Sequence, residues 1–111
     1  ELDKLDYSHE SQVFVKTFTL LNEKLEDDAF KKYDVSKGRF IGSFLVSGFE
    51  AVALGLGFQF SNNLAWQPTY DLTNKVKELW SRPEFKDNVG SGISSPTRIP
   101  RILPFARGFF G

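Results

Sequence analysis

Cysteine and methionine are both absent from the 111 residues, and histidine occurs once, at His9. Without cysteine, the chain can form neither a disulfide framework nor a thiolate zinc site. A single histidine also argues against a histidine-based metal site and against a Ser/His catalytic pair. The sequence therefore predicts no catalytic residues, no metal site and no cofactor within these 111 residues.

The absence of methionine also bears on the origin of the chain, because Glu1 is not an initiator residue. We expect the sequence to be a piece of a longer polypeptide, with residues 1–111 folded as a single helical domain. Its first 30 residues lack the basic start and short apolar block of a signal peptide. A cytoplasmic location is the default expectation.

Aromatic residues are abundant, and the longest apolar stretch runs from Arg39 to Phe60 with one acid, Glu50, inside it. A membrane span needs roughly 20 predominantly apolar residues. A central glutamate costs roughly 2.5 to 3.5 kcal/mol on membrane-insertion scales, and glycines and serines dilute the apolar character of this stretch further. The stretch is therefore predicted to be a core helix, and no membrane partner is expected.

Hydrophobic periodicity predicts four to five helices and no convincing strands. The predicted fold class is all-α, a compact bundle around the central apolar helix. Glycine tolerates open or left-handed backbone, so the glycines late in the apolar stretch indicate the end of the central helix. The predicted helices are Glu10–Leu25, Asp27–Tyr33, the central helix from Phe40 with its end near Gly55 and Gly57, Tyr70–Trp80, a brief turn from Pro83 to Lys86, and a proline-kinked segment after Thr97.

Glu50 is the residue about which the sequence allows the sharpest physical statement. A buried carboxylate must be paired or neutralised, because an uncompensated internal charge is strongly destabilising. Arg98 and Arg101 are the first candidates for its partner, and Arg39 is the local alternative. The other interpretation is that Glu50 lies on the one exposed edge of its helix.

Charge is distributed unevenly although the formal net charge is zero. Residues 1–34 carry nine acids against five lysines, and the rest of the chain carries nine Lys and Arg against five acids. Near the C-terminus, Arg98, Arg101 and Arg107 occur without any acid, which predicts a mildly basic final element. They are candidate nucleic-acid contacts, although a binding surface usually shows a denser basic stripe and solvated or ion-paired arginines are the alternative.

Four segments in order carry a resemblance to a known family: FVKTFTLLNEKL, KGRFIGSFLVSGFEAVALGLG, VKELWSRPEF and SGISSPTRIPRILPFARGFF. The most specific are the phrases around Phe49 and Glu50 and from Thr97 to Phe109. The chain resembles the C-terminal helical region of the GmrSD-type ParB-like restriction endonuclease family. In that family the catalytic ParB-like domain comes first, with an Asp-Gly-Gln-Gln-Arg type motif that these residues lack. The resemblance implies a helical accessory domain of a defence-type protein.

Two function classes remain open at this point. The first is an interaction domain that packs against the upstream ParB-like catalytic domain of the same polypeptide and helps to present DNA. The second is a stand-alone nucleic-acid-binding module that uses the basic C-terminal segment, and salt-dependent binding to duplex DNA would favour it. An exposed aromatic patch would also allow a homo-oligomer.

Overall fold

Five helices form most of the part of the chain that the structure describes. The computed structural model describes residues 7–89 and 93–111, and an antiparallel hairpin of two strands, β1 and β2, lies between the first two helices. The predicted all-α bundle of four to five helices is confirmed, with this small hairpin as an addition. In chain order the elements are α1 (Tyr7–Leu25), β1 (Lys32–Asp34), β2 (Arg39–Ile41), α2 (Val46–Asn62), α3 (Leu72–Leu79), α4 (Pro83–Lys86) and α5 (Ser95–Phe109).

Helix α2 is the central element and packs against both α1 and α5. His9, near the start of α1, contacts the carbonyl oxygen of Ser61 near the end of α2, so these two helices run in opposite directions. Gln59 Nε2 donates to the carbonyl oxygen of Arg107 near the end of α5, at 2.6 Å. Glu50 near the start of α2 also accepts a hydrogen bond from Arg98 near the start of α5, so α2 and α5 run in the same direction.

The core lies between the helices, and all five of them contribute buried side chains to one cluster. Burying an aliphatic or aromatic side chain of this kind contributes roughly 1.5 to 3 kcal/mol, which makes this core the main source of stability. Its largest fully buried side chains are Leu21, Val52, Leu56, Leu72, Val76, Leu79, Phe85, Ile102 and Phe110.

The prediction of a helix over Asp27–Tyr33 is wrong. A short 3₁₀ turn covers Glu26–Asp28, and the chain then enters β1. Tyr33 pairs with Phe40 of β2, and the two rings lie 5.1 Å apart. Strands of three residues are too short to show the alternation that identifies a strand in sequence, so the hairpin was missed.

The predicted start of the central helix at Phe40 is also wrong, because Phe40 belongs to β2 and α2 begins at Val46. Gly42 adopts a φ of +78°, a left-handed conformation that glycine takes without steric cost. Leu45 then donates its backbone N–H to the carbonyl oxygen of Phe30 at 3.0 Å. This loop therefore cannot be part of a continuous helix.

The two glycines expected near the end of the central helix lie inside α2, which continues to Asn62. Gly55 faces α5 at very short range: a Cβ atom built there would lie 2.8 Å from a ring carbon of Phe110 and 3.0 Å from the carbonyl oxygen of Ala106. Gly55 therefore permits a close contact between two helices, while a Cβ on Gly57 would meet neighbours only at ordinary distances.

Helix α3 begins two residues later than predicted. The side chain of Asp71 accepts a hydrogen bond from the backbone N–H of Thr73 at 3.1 Å and so caps the helix. Tyr70 therefore precedes α3, and its hydroxyl donates to the carbonyl oxygen of Phe110 at 2.6 Å, which fixes the end of α5.

None of the helices within residues 7–89 and 93–111 combines the length and the apolar character that a membrane crossing requires.

Candidate functional site

The acid of the central apolar stretch is buried and paired. Glu50 lies near the start of α2 with 7% of its surface exposed. Arg98 Nε donates to its Oε1 at 2.6 Å, and Arg98 Nη2 donates to its Oε2 at 3.1 Å. The third guanidinium nitrogen, Nη1, donates to the carbonyl oxygen of Ile93 at 3.0 Å. This is the bidentate geometry in which an arginine–carboxylate pair is strongest.

The pair links the start of α2 to the start of α5. The hydrogen bond from Arg98 to Glu50 raises the pKa of Arg98 above the ordinary arginine value, although burial acts in the opposite direction and lowers it. Taking two charges out of water is costly, and removing one partner of such a pair typically costs roughly 3 to 5 kcal/mol. Because Arg98 occupies both carboxylate oxygens, the arrangement points to a structural role for Glu50.

The other two candidate partners of Glu50 lie elsewhere. Arg39 is exposed in β2, and Arg101 is exposed on α5, where its Nη1 donates to Asn88 Oδ1 at 3.3 Å. Within the part of the chain that the structure describes, Glu50 forms its ion pair with Arg98.

The three C-terminal arginines do not form one row along α5. Arg98 and Arg107 are nine positions apart, and at about 100° per residue this separation places them on opposite sides of a helix. The guanidinium of Arg107 lies over the ring of Phe58, 4.7 Å from its centroid. Since Arg98 is held by Glu50, any contact with phosphate would depend on Arg101 and Arg107.

Phenylalanine side chains form a row of ring contacts that reaches the surface at both ends. Phe14 is 63% exposed at one end, and Phe44 is 56% exposed at the other. Contiguous apolar surface of this kind marks interaction sites in many proteins. Successive ring centroids are 4.6 to 6.2 Å apart along the series Phe14, Phe18, Phe49, Phe30 and Phe44.

Three consecutive apolar residues are exposed where the chain enters α2: Phe44 and Leu45 in the preceding loop and Val46 at the first position of the helix. We call them the loop patch. Val46 is 55% exposed, close to the value for Phe44. The backbone hydrogen bond from Leu45 to Phe30 holds the patch in place. Gly48 lets α2 approach the backbone of Phe30 closely, because a Cβ at this position would lie only 3.0 Å from the carbonyl oxygen of Phe30. The patch is thus exposed but fixed.

A groove of about 540 Å³ forms a second surface feature, with α2 as its floor and α1 and α5 as its walls. We call it the α1/α2/α5 groove. Its lining is mainly apolar, and Leu54, 41% exposed, lies in its floor. Apolar side chains from all three helices line it, among them Phe14, Phe18, Leu54, Phe58 and Leu103.

Within the described residues, no three acidic or histidine side chains come together as metal ligands would. Comparison with protein-family models, with curated proteins and with solved structures gave no match. The resemblance to the GmrSD-type family therefore stays a prediction, and the proposals below are argued from the surfaces.

Sequence reasoning missed both surfaces. Both Phe44 and Val46 lie in the apolar stretch that was predicted to be helical from Phe40 onward, so the sequence placed both inside the central helix. The signal that could have placed Phe44 in a loop is the adjacent pair Gly42 and Ser43, since such residues favour turns. Val46 is the first residue of α2. The groove could not be found in this way, because it depends on the relative positions of three helices.

Proposed function

We propose that this chain is a helical accessory and interaction domain of a ParB-like, GmrSD-type restriction or phage-defence protein, without catalytic activity of its own. The observation that carries the interaction role is the loop patch. Phe44 and Val46 are both more than half exposed although they belong to the most apolar stretch of the sequence. Large apolar side chains concentrated at one fixed point of a surface are typical of a binding site.

The patch is suited to binding because its backbone is already in place. Phe30 accepts the hydrogen bond from Leu45, and its ring lies 5.5 Å from that of Phe44. Binding therefore requires little additional ordering, and a rigid site loses less conformational entropy when it binds. Burial of Phe44 and Val46 would contribute roughly 1.5 to 3 kcal/mol each.

The partner that the resemblance implies is the ParB-like catalytic domain expected upstream in the same polypeptide. The chemistry of the loop patch calls for an apolar surface on that domain. A cleft beside the patch, shared by Leu45, Lys32, Asp34, Lys86 and Asp87, carries both charge signs. A polar rim with complementary charges would then surround the apolar contact, as in many interfaces between proteins.

The test is to produce the upstream domain as a separate protein and to titrate it with residues 1–111 in a calorimeter. Replacing Phe44 and Val46 together by serine should weaken binding by at least about tenfold, which corresponds to roughly 1.4 kcal/mol. Val15→Ser is the matched control, because Val15 is equally exposed but lies on α1. Absence of binding by the wild-type chain, or equal binding by the loop-patch variant, would refute the proposal.

The alternative function, a stand-alone nucleic-acid-binding module, would use the exposed Arg101 and Arg107. It has weaker support, because Arg98 is already paired with Glu50. Both functions are compatible with the same fold, so binding measurements have to separate them.

A further inference from the structure

The α1/α2/α5 groove offers apolar surface that the proposed function does not use. Its Phe49 adjoins the loop patch, with its ring centroid 6.2 Å from that of Phe44. Phe14 on α1 and Leu54 on α2 are the most exposed apolar side chains that line it, at 63% and 41%. Leu103 lines it from α5, so all three helices contribute apolar surface. Covering a groove with this lining by another apolar surface is favourable, because it removes apolar area from water.

The two walls carry opposite charges at the same end of the groove. Glu10 lies on α1 next to His9, whose Nε2 is 3.1 Å from the carbonyl oxygen of Ser61. Arg107 lies on α5 over the ring of Phe58, three positions before Ser61 in α2. In the described part of the chain, neither Glu10 nor Arg107 forms an ion pair.

We propose that a second copy of this chain covers the groove, in a two-fold symmetric dimer in which Glu10 of each copy pairs with the partner's Arg107. A two-fold axis along the groove brings the α1 wall of one copy opposite the α5 wall of the other. The same operation brings Leu54 close to its own symmetry mate. Each contact then occurs twice, as an isologous interface requires.

A second copy fits these observations better than an unrelated protein does. An unrelated partner would need one basic and one acidic group at matching positions on either side of an apolar strip. This chain already carries that set, with Glu10 and Arg107 on opposite walls. Its formal net charge of zero also means that two copies experience little overall repulsion.

Sedimentation equilibrium over a range of chain concentrations tests the dimer. The wild-type chain should show a monomer–dimer equilibrium. The single variants Glu10→Arg and Arg107→Glu should each raise the dissociation constant of the dimer by about tenfold, because either change turns the two attractive pairs of the dimer into repulsive ones. The double variant should restore dimerisation, because both pairs reform with their charges exchanged. Glu23→Arg on α1 and Arg101→Glu on α5 change charge outside the groove and should leave the equilibrium unchanged.

Circular dichroism of each variant shows whether it is folded, so that loss of dimers can be separated from loss of structure. Leu54→Asp places a charge in the floor of the groove at an exposed position and should abolish the dimer without unfolding the chain. A wild-type chain that stays monomeric at about 200 µM, a concentration at which even a weak dimer is populated, overturns the proposal. Failure of the double variant to restore association overturns it as well. The loop-patch variant should dimerise normally, so failure of the proposed function and failure of the dimer are distinguishable.

Discussion

Arg98 holds Glu50 with two nitrogens, across 48 positions of sequence, at a site where both side chains are largely shielded from water. Two helices that are not consecutive in the chain, α2 and α5, are joined at their starts by this contact. Their ends are joined by Gln59 and the carbonyl oxygen of Arg107. The relative position of these helices also defines one side of the α1/α2/α5 groove.

Replacing Glu50 by glutamine should lower the free energy of unfolding by about 3 kcal/mol, because it leaves the partly buried guanidinium of Arg98 without a counter-charge. Urea unfolding followed by circular dichroism measures the loss. Arg101→Gln is the matched control: Arg101 is exposed on the same helix, so its replacement should change stability by less than about 0.5 kcal/mol. If the Glu50 variant is as stable as the control, the pair does not hold the helices together.

The two glycines in the second half of α2 should respond oppositely to alanine. Gly55→Ala should destabilise the fold by about 1 to 3 kcal/mol, because the added Cβ meets the backbone of Ala106 and the ring of Phe110. Gly57→Ala should be neutral or stabilise by up to about 1 kcal/mol, since alanine favours the helix and the nearest atoms are 3.7 Å away or more. Thermal unfolding of the two variants checks this. Equal effects of the two changes would contradict the described packing of α2 on α5.

The sequence was sufficient to predict the helical class because long amphipathic patterns are clear signals. Helix α1 was predicted over Glu10–Leu25, and among the described residues it covers Tyr7–Leu25. The region from Glu26 to Leu45 could not be predicted in the same way. Its turns depend on Glu26 and Gly42, both with positive φ, and on a hydrogen bond to Phe30 that is set by tertiary packing.

The candidate site shows a similar limit. Electrostatics alone requires that a buried Glu50 be paired or neutralised, and Arg98 was among the predicted partners. The choice between Arg98, Arg101 and an exposed Glu50 could not be made from sequence, because the partner lies 48 residues away. The exposure of Phe44 was equally hidden, since its spacing matches that of a buried helical face.

Alkaline pH should weaken the fold through Tyr70. Its hydroxyl donates to the carbonyl oxygen of Phe110, and burial raises its pKa above the ordinary tyrosine value. The folded state therefore holds this proton more tightly than the unfolded state does. The resulting stabilisation is complete below about pH 10 and is lost progressively as the pH rises further.

The measurement is the free energy of unfolding of the wild type and of Tyr70→Phe between about pH 9 and pH 12. Comparing the two proteins separates the contribution of Tyr70 from the titration of lysines, which occurs in both. The variant should lose about 1 kcal/mol at neutral pH with its hydrogen bond and should show a shallower decline at high pH. The same decline in both proteins would show that Tyr70 does not contribute to it.

Duplex DNA should bind weakly to residues 1–111. With Arg98 held by Glu50 and Arg107 on the opposite side of α5, the basic residues do not form the continuous stripe that phosphate contacts require. Fluorescence anisotropy at about 50 mM and about 200 mM salt should give no saturable binding at either concentration. Saturable binding that weakens with salt, and that is reduced in Arg101→Gln and Arg107→Gln, would favour the nucleic-acid-binding alternative.

The role as an interaction domain is tested most directly by NMR titration of the isotope-labelled chain with the expected upstream domain. Chemical-shift changes should be concentrated at Phe44, Leu45 and Val46 and at Phe30, which holds them in place. Absence of shift changes on addition of that domain, or changes confined to α3 and α4 with the loop patch unaffected, would contradict the account.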